Sequence, residues 1–426
     1  MKRRILESIK TIVIVVLSLT VLLLAAGARW PEQIAASNAL SALFAPVTRL
    51  LGLELVQIPP KLETEGAVSD SAKPVLISVQ TPAGRCSYQM SFSALDPVYE
   101  HLGGLLGEAL DTAAAPEEIT AGQFYAGLRQ PGFLFTYCGS IPVELLAAWL
   151  DASSAEAGQF SSFALSIQNG TVYFLAAGQT YQRCATKLSE QALAQALGAY
   201  LPDGSTFAFE SSDEAYHRLA PMTLLNLNAQ PEVYEIVSSN PCDSEMTKRL
   251  ATSLGFNPFD DSSYLDNRGS TIYNEAECAL RITASGEISL TNHNLTDSRF
   301  LASSTAPETL AEYAKTLISK LQKNTLGDAR LYLTSYEQSV GTVTILFDYV
   351  VDGVPVVLSN GPAASVTFEN GCLTQLALRL RAYTRTQTPL TVLPVKQAVA
   401  IAAFGSRLRI EYADLGGSSL MAGWVS

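Results

Sequence analysis

The sequence predicts an α+β protein: one N-terminal transmembrane helix, then an extracytoplasmic region of about three helix-plus-antiparallel-sheet modules. Three observations carry this. Lys2, Arg3, Arg4 and Lys10 precede an uncharged, mostly apolar run of 18 residues over 11–28. Alternating apolar segments closed by Asn-Gly, Ser-Gly and Asp-Gly recur along the chain, as antiparallel hairpins require. Between them lie segments of helical periodicity, such as 96–113 and 306–324.

At about 1.5 Å per residue the 11–28 run is about 27 Å long, close to the roughly 30 Å of bilayer hydrocarbon. Lys10 can snorkel at one end, and Trp30 suits the interface at the other. The basic cluster precedes the run, so the positive-inside rule places the N-terminus in the cytoplasm and the bulk of the chain outside it. The chain is thus expected at the cell membrane, single-pass. The competing reading is a cleaved signal peptide, for which Ala26-Gly27-Ala28 supplies a small-x-small site.

The formal charge of the 426 residues is −12. Residues 1–10 hold four basic residues and one acidic residue, which leaves 24 basic and 39 acidic residues, or −15, in the remainder. Bulk charge therefore argues against nucleic acid as a partner. The cysteines are Cys86, Cys138, Cys184, Cys242, Cys278 and Cys372. Their even number and expected compartment allow disulfides, but the wide spacings assign no pairs. Several fall in apolar strand segments, where a buried free thiol is the simpler reading.

Taken in order, the chain divides into a tail and anchor (1–30), a juxtamembrane helix and linker (31–72) and three α+β units (73–202, 203–325 and 326–426). In the juxtamembrane segment Leu40, Leu43, Phe44, Val47, Leu50 and Leu51 have helical spacing, interrupted at Pro46. In the first unit, strands are expected at 74–80, 85–92, 132–138 and 171–176, and in the alternation of Phe163, Leu165 and Ile167 before Asn169-Gly170. Helices are expected at 96–113, 116–130, 141–153 and 189–200. The second unit reads as strands at 205–211 and 231–237, and a helix at 245–256 capped by Asp243 or Ser244. A polar loop at 257–270, a hairpin around Ser285-Gly286 and the 306–324 helix follow. The third unit reads as strands at 329–337, 342–351 and 354–358, joined by Asp352-Gly353. Strands at 364–369 and 373–383 then pair around Asn370-Gly371, with Leu376, Leu378 and Leu380 on one face, before a helix at 393–404 and a strand at 408–415. The last two units are the more alike and suggest a weak internal repeat.

Catalytic signatures are sparse. HExxH, GxSxG, Walker A and Rossmann fingerprints do not occur. His101, His217 and His293 are each more than 70 residues from their neighbours. No catalytic, cofactor-binding or metal-binding residue is assigned, and no cofactor is expected. The best oxygen-ligand cluster for a cation is Asn257, Asp260, Asp261, Asp266 and Asn267, but its spacing is not that of an EF-hand and Arg268 adds a competing charge. It reads more simply as a loop of Asx turns. Within the anchor, Thr11, Ser18 and Ala25 share one helical face, where small residues permit close approach of another transmembrane helix. They are the candidate partner-binding residues.

Four segments resemble the YycH family. KRRILESIKTIVIVVLSLT is similar to its anchor, and FLFTYCGSIPVELLAAWL to a strand followed by an Ile-Pro-led helix. YLDNRGSTIYNEAECALRITASGEISL resembles a segment with a Tyr before an acidic pair, a strand and a Gly turn. VPVVLSNGPAASVTFENGCLTQLALRLRAYT, with LPVKQAVAIAAF, resembles a final module shared with YycI and reminiscent of PepSY domains. The resemblance implies a membrane-anchored, non-enzymatic regulator of a WalK (YycG)-type sensor histidine kinase of Gram-positive bacteria. It implies contact with that kinase, with a YycI-like protein, and with the membrane through 11–28. Two alternatives stay open: a PepSY-like protein that inhibits an envelope peptidase, and an envelope hydrolase using Cys138 or Asp266.

Overall fold

The computed structural model describes residues 72–426 apart from 153–160, 177–179, 226–229, 237–242, 260–262, 276 and 323–324; the expected anchor and juxtamembrane helix lie outside the described residues. β1 (Leu76–Thr81) and β2 (Gly84–Tyr88) pair as a hairpin, and α1 (Phe92–Asp111) follows. The expected single helix over 116–130 is cut in two. A short strand, β3 (Glu117–Ile119), comes first, and α2 (Ala121–Leu128) starts at Thr120, which forms a reciprocal capping box with Gln123.

β4 (Gly132–Pro142) leads into α3 (Val143–Trp149), and β5 (Ser161–Gln168), β6 (Thr171–Ala176) and β7 (Tyr181–Ala185) precede α4 (Glu190–Leu197). The seven strands make an antiparallel sheet in the order β2-β1-β4-β5-β6-β7-β3. At the β5–β6 turn Asn169 and Gly170 both take positive φ, the primed geometry that a twisted hairpin favours. One face of the sheet buries Ile77, Val79, Phe133 and Phe135 against Leu95, Val98, Leu102 and Leu106 of α1.

The next segment is not a strand. Residues 205–211 form a 3-10 turn at Ala208–Glu210 with only a bridge between Phe207 and Leu224. Phe207 is buried beneath Arg85, whose guanidinium lies 4.7 Å from the ring. Arg85 also donates to Ser78, to the Leu128 carbonyl and through two nitrogens to Glu210. Every face of this buried cation thus has a partner.

The chain continues through β8 (Glu232–Ile236) and α5 (Ser244–Ser253), with Asp243 accepting the Met246 N–H as the N-cap. β9 (Ser263–Leu265), β10 (Thr271–Glu275), β11 (Cys278–Ile282) and β12 (Glu287–Asn292) form a meander. Then come α6 (Pro307–Leu321), β13 (Ala329–Ser339), β14 (Thr342–Val351), β15 (Val354–Leu358), β16 (Ala364–Glu369) and β17 (Cys372–Arg379). β18 (Tyr383–Pro389), α7 (Val395–Ile401), β19 (Arg409–Asp414) and β20 (Met421–Val425) complete it.

The second sheet joins the meander to the C-terminal strands, because β12 pairs antiparallel with β17. From there it runs β17-β16-β14, and β14 pairs along its other edge with β13. β15 pairs with the end of β14 and, in parallel, with β19, which carries β20. Leu376 and Leu378 are buried on one face, and the primed turns at Asp352-Gly353 and Asn370-Gly371 both form. The expected strand over 373–383 ends at Arg379, because Tyr383 leaves to pair with Ile236 of β8. The result is an α+β protein with seven helices among the described residues.

Candidate functional site: the junction of the two sheets

The sheets meet where β4 outruns its partner β1. β4 is flanked by β1 and β5 as far as Thr136; its register with β5 then shifts, and Ser140 pairs in parallel with Ser335 of β13. This close crossing needs a glycine: a Cβ on Gly139 would lie 1.8 Å from the Thr334 carbonyl oxygen.

Beside the crossing, α1 is fastened to β13 and to the β14–β15 turn. Arg330 makes a two-pronged ion pair with Asp96, at 2.9 and 2.7 Å, the planar fork that guanidinium and carboxylate share. Lys73 Nζ lies 3.3 Å from the same carboxylate. The Arg330 guanidinium covers the Phe92 ring at 3.8 Å, and Phe92 stacks on Tyr332 with an interplanar angle of 2°. Burial pushes the Asp96 pKa up, but the hydrogen bond and charge of Arg330, with Lys73, outweigh it and hold the carboxyl below its usual range. At the helix start, Asp352 accepts the Phe92 N–H at 3.2 Å and the Tyr234 hydroxyl on its other oxygen.

Between α3, α6 and β13 the junction forms a partly open cavity of about 340 Å³. Ala311, Lys315, Ile318 and Ser319 present one face of α6 to it, with the C-cap residue Gln322 beyond them; Trp149 borders it from α3, and Arg330, Tyr332 and Leu333 line it from β13. Its volume is at the lower end of small-molecule sites, which run from about 300 to 1,000 Å³.

The candidate residues read from sequence fall elsewhere. Thr11, Ser18 and Ala25 lie outside the described residues, as do Asp260 and Asp261. Asp266 accepts the backbone N–H groups of Arg268 and Ser270 and pairs with Arg281. The Ser270 backbone bond leads in holding its pKa down. Asn257 caps its own turn through the Phe259 N–H. Their oxygens are thus engaged in Asx-turn geometry. Among the described residues no group of three or more His, Cys, Asp or Glu is placed to hold a metal ion.

His101 is buried, with Nδ1 2.7 Å from the Tyr200 hydroxyl, and burial lowers its pKa. His217 is exposed and meets the Ser211 carbonyl. Cys86 is 3.9 Å from the Tyr88 hydroxyl, and burial first pushes its thiol up to about 11. A thiol raised and an imidazole lowered are the reverse of the thiolate–imidazolium pairing that activates a nucleophilic cysteine. Cys86, Cys138, Cys184, Cys278 and Cys372 are free thiols.

The junction residues were not singled out from sequence. The one local signal is the pair Asp96-Pro97, which opens the expected 96–113 helix; α1 starts earlier, at Phe92, and leaves Asp96 in its second turn. Nothing local points from Asp96 to Arg330.

No family model matches the chain, and no curated protein matches it. Among solved structures, the chain is similar to YycH from Bacillus subtilis, with 12% sequence identity, 82% of this chain and 92% of that chain covered, and a TM-score of 0.49.

Proposed function

We propose that the chain is a membrane-anchored, non-enzymatic regulator of a WalK (YycG)-type sensor histidine kinase of the cell envelope. The observation that carries the reading is the ordered run of four YycH-like sequence segments, beginning with the basic-then-apolar 1–30 segment. The 11–28 helix anchors the chain in the cell membrane, with its Thr11, Ser18 and Ala25 face against a transmembrane helix of the kinase. The extracytoplasmic part contacts a partner, a YycI-like protein or the kinase ectodomain. Shifting a two-state kinase tenfold takes only about 1.4 kcal/mol of differential contact, which modest helix packing supplies.

The tying of α1 to the C-terminal sheet at Asp96–Arg330 and Phe92–Asp352 supports this reading. A regulator that biases a partner's conformation must present its surfaces in a fixed relation, and these bonds fix one helix across the junction. The test is co-purification of the tagged full chain with the kinase from native membranes. Recovery of the kinase, lost when bulky residues replace Thr11, Ser18 and Ala25, is expected. Failure to recover it from membranes where both are present would overturn the reading.

A further inference from the structure

A second, smaller cavity of about 80 Å³ lies where the approach to β19 meets β4, and the regulatory reading does not use it. Arg407, just before β19, lines it together with Thr136 of β4 and Gln89, which follows β2. Arg407 is partly buried, and its guanidinium lies 5.6 Å from the Phe163 ring centroid. Among the described residues it has neither an ion pair nor a hydrogen bond. The nearby Arg409 differs, because Glu411 pairs with its guanidinium. Burial, with the charge of Arg409, pushes the Arg407 pKa down to about 10, so it stays a cation at neutral pH. The buried Arg85, by contrast, has a partner on every face. Two further donors border the same space. Thr136 is 1% exposed and its hydroxyl has no partner among the described residues; the side-chain nitrogen of Gln89 has none either. Buried donors without acceptors are costly, and an arriving acceptor recovers that cost.

From this combination we propose that the cavity binds a free tetrahedral oxyanion, inorganic phosphate or sulfate. The Arg407 guanidinium supplies the charge and a fork of donors, and the Thr136 hydroxyl and Gln89 amide donate to the remaining oxygens. A carboxylate presents its oxygens on one side only and answers fewer of these donors, which come from three separate segments. A water needs about 10–15 Å³ of such space, so the cavity has room for about five to eight non-hydrogen atoms. That admits the free ion and leaves little room for an ester built on it. The inference goes beyond kinase regulation and stands or falls separately from it.

The test uses the full chain in maltoside micelles, in a chloride buffer free of phosphate and sulfate, titrated with inorganic phosphate by isothermal calorimetry. Saturable one-site binding in the millimolar range or tighter is expected, with sulfate competing and with acetate and glycerol 3-phosphate each about tenfold or more weaker. Arg407→Gln should abolish phosphate binding, and Thr136→Val, which exchanges the hydroxyl for a methyl group, should weaken it about tenfold. Thr136→Val removes a hydroxyl that has no partner, a change close to neutral for folding, so it keeps the test decisive if Arg407→Gln does not fold. No saturable binding through the millimolar range, phosphate affinity unchanged by either substitution, or acetate as tight as phosphate would each overturn the proposal. Glycerol 3-phosphate as tight as phosphate would overturn it too, pointing to a lipid headgroup in place of the free ion.

Discussion

Asp352 accepts the backbone N–H of Phe92 at 3.2 Å across a separation of 260 residues, so the first turn of α1 is capped by a turn of the C-terminal sheet. The helix's own N-cap, Ser91, makes no side-chain cap among the described residues. Asp352 stands at φ 47° in its hairpin, a left-handed conformation that Asp and Asn tolerate better than most residues. Asp352→Ala loses the cap and gains strain, and should cost about 1–2 kcal/mol by chemical denaturation. Asp352→Asn keeps an acceptor and the turn preference, and should cost less than half of that. Amide exchange at the start of α1 should accelerate in the Ala variant before it does elsewhere; unchanged exchange there would refute the capping role.

The Asp96–Arg330 pair sets a pH dependence. The folded Asp96 pKa lies below its unfolded value of about 3.9, so its contribution is present above about pH 4. It is lost as pH falls through the folded pKa. Asp96→Asn should cost about 1–2 kcal/mol at neutral pH, because Arg330 and Lys73 are left facing an uncharged partner. It should also flatten the acid limb of the stability–pH curve. Parallel acid limbs for the two proteins would contradict this.

Gly139→Ala tests the crossing of the sheets. Its Cβ would stand 1.8 Å from a backbone oxygen, so the strands must part or twist. A loss of about 3 kcal/mol or more is expected, measured as a lower denaturation midpoint. A near-neutral effect would mean that β4 and β13 are free to separate.

Burial pushes the thiols of Cys86, Cys184 and Cys278 up to about 11, with desolvation the leading cause. At pH 8 these residues should resist alkylation in the folded chain and react promptly in denaturant, as peptide mapping by mass spectrometry would show. Rapid native labelling of any of the three would contradict their burial.

Local chemistry was readable where it acts over a few residues. The Asn169-Gly170, Asp352-Gly353 and Asn370-Gly371 turns and the Asp243 cap follow from turn and capping preferences that need no distant partner. The 205–211 segment misled because Phe207 and Phe209 alternate like a strand. Phe207 instead lies under Arg85, and Phe209 stacks on Tyr125, without a ladder. The break after Arg379 and the β12–β17 pairing depend on partners far along the chain, as does the whole junction: Arg330 and Asp96 are 234 residues apart. Neither residue carries a local mark of the other, so the junction and its cavity were legible only in three dimensions.

The most direct measurement of the central claim is the phosphorylation level of the response regulator paired with the WalK-type kinase. It should be compared in native cells with the full chain, without it, and with residues 11–28 replaced by an unrelated transmembrane helix. A severalfold change on deletion, only partly restored by the chain with the foreign helix, is the predicted result. Phosphorylation that is the same in all three strains would contradict the account.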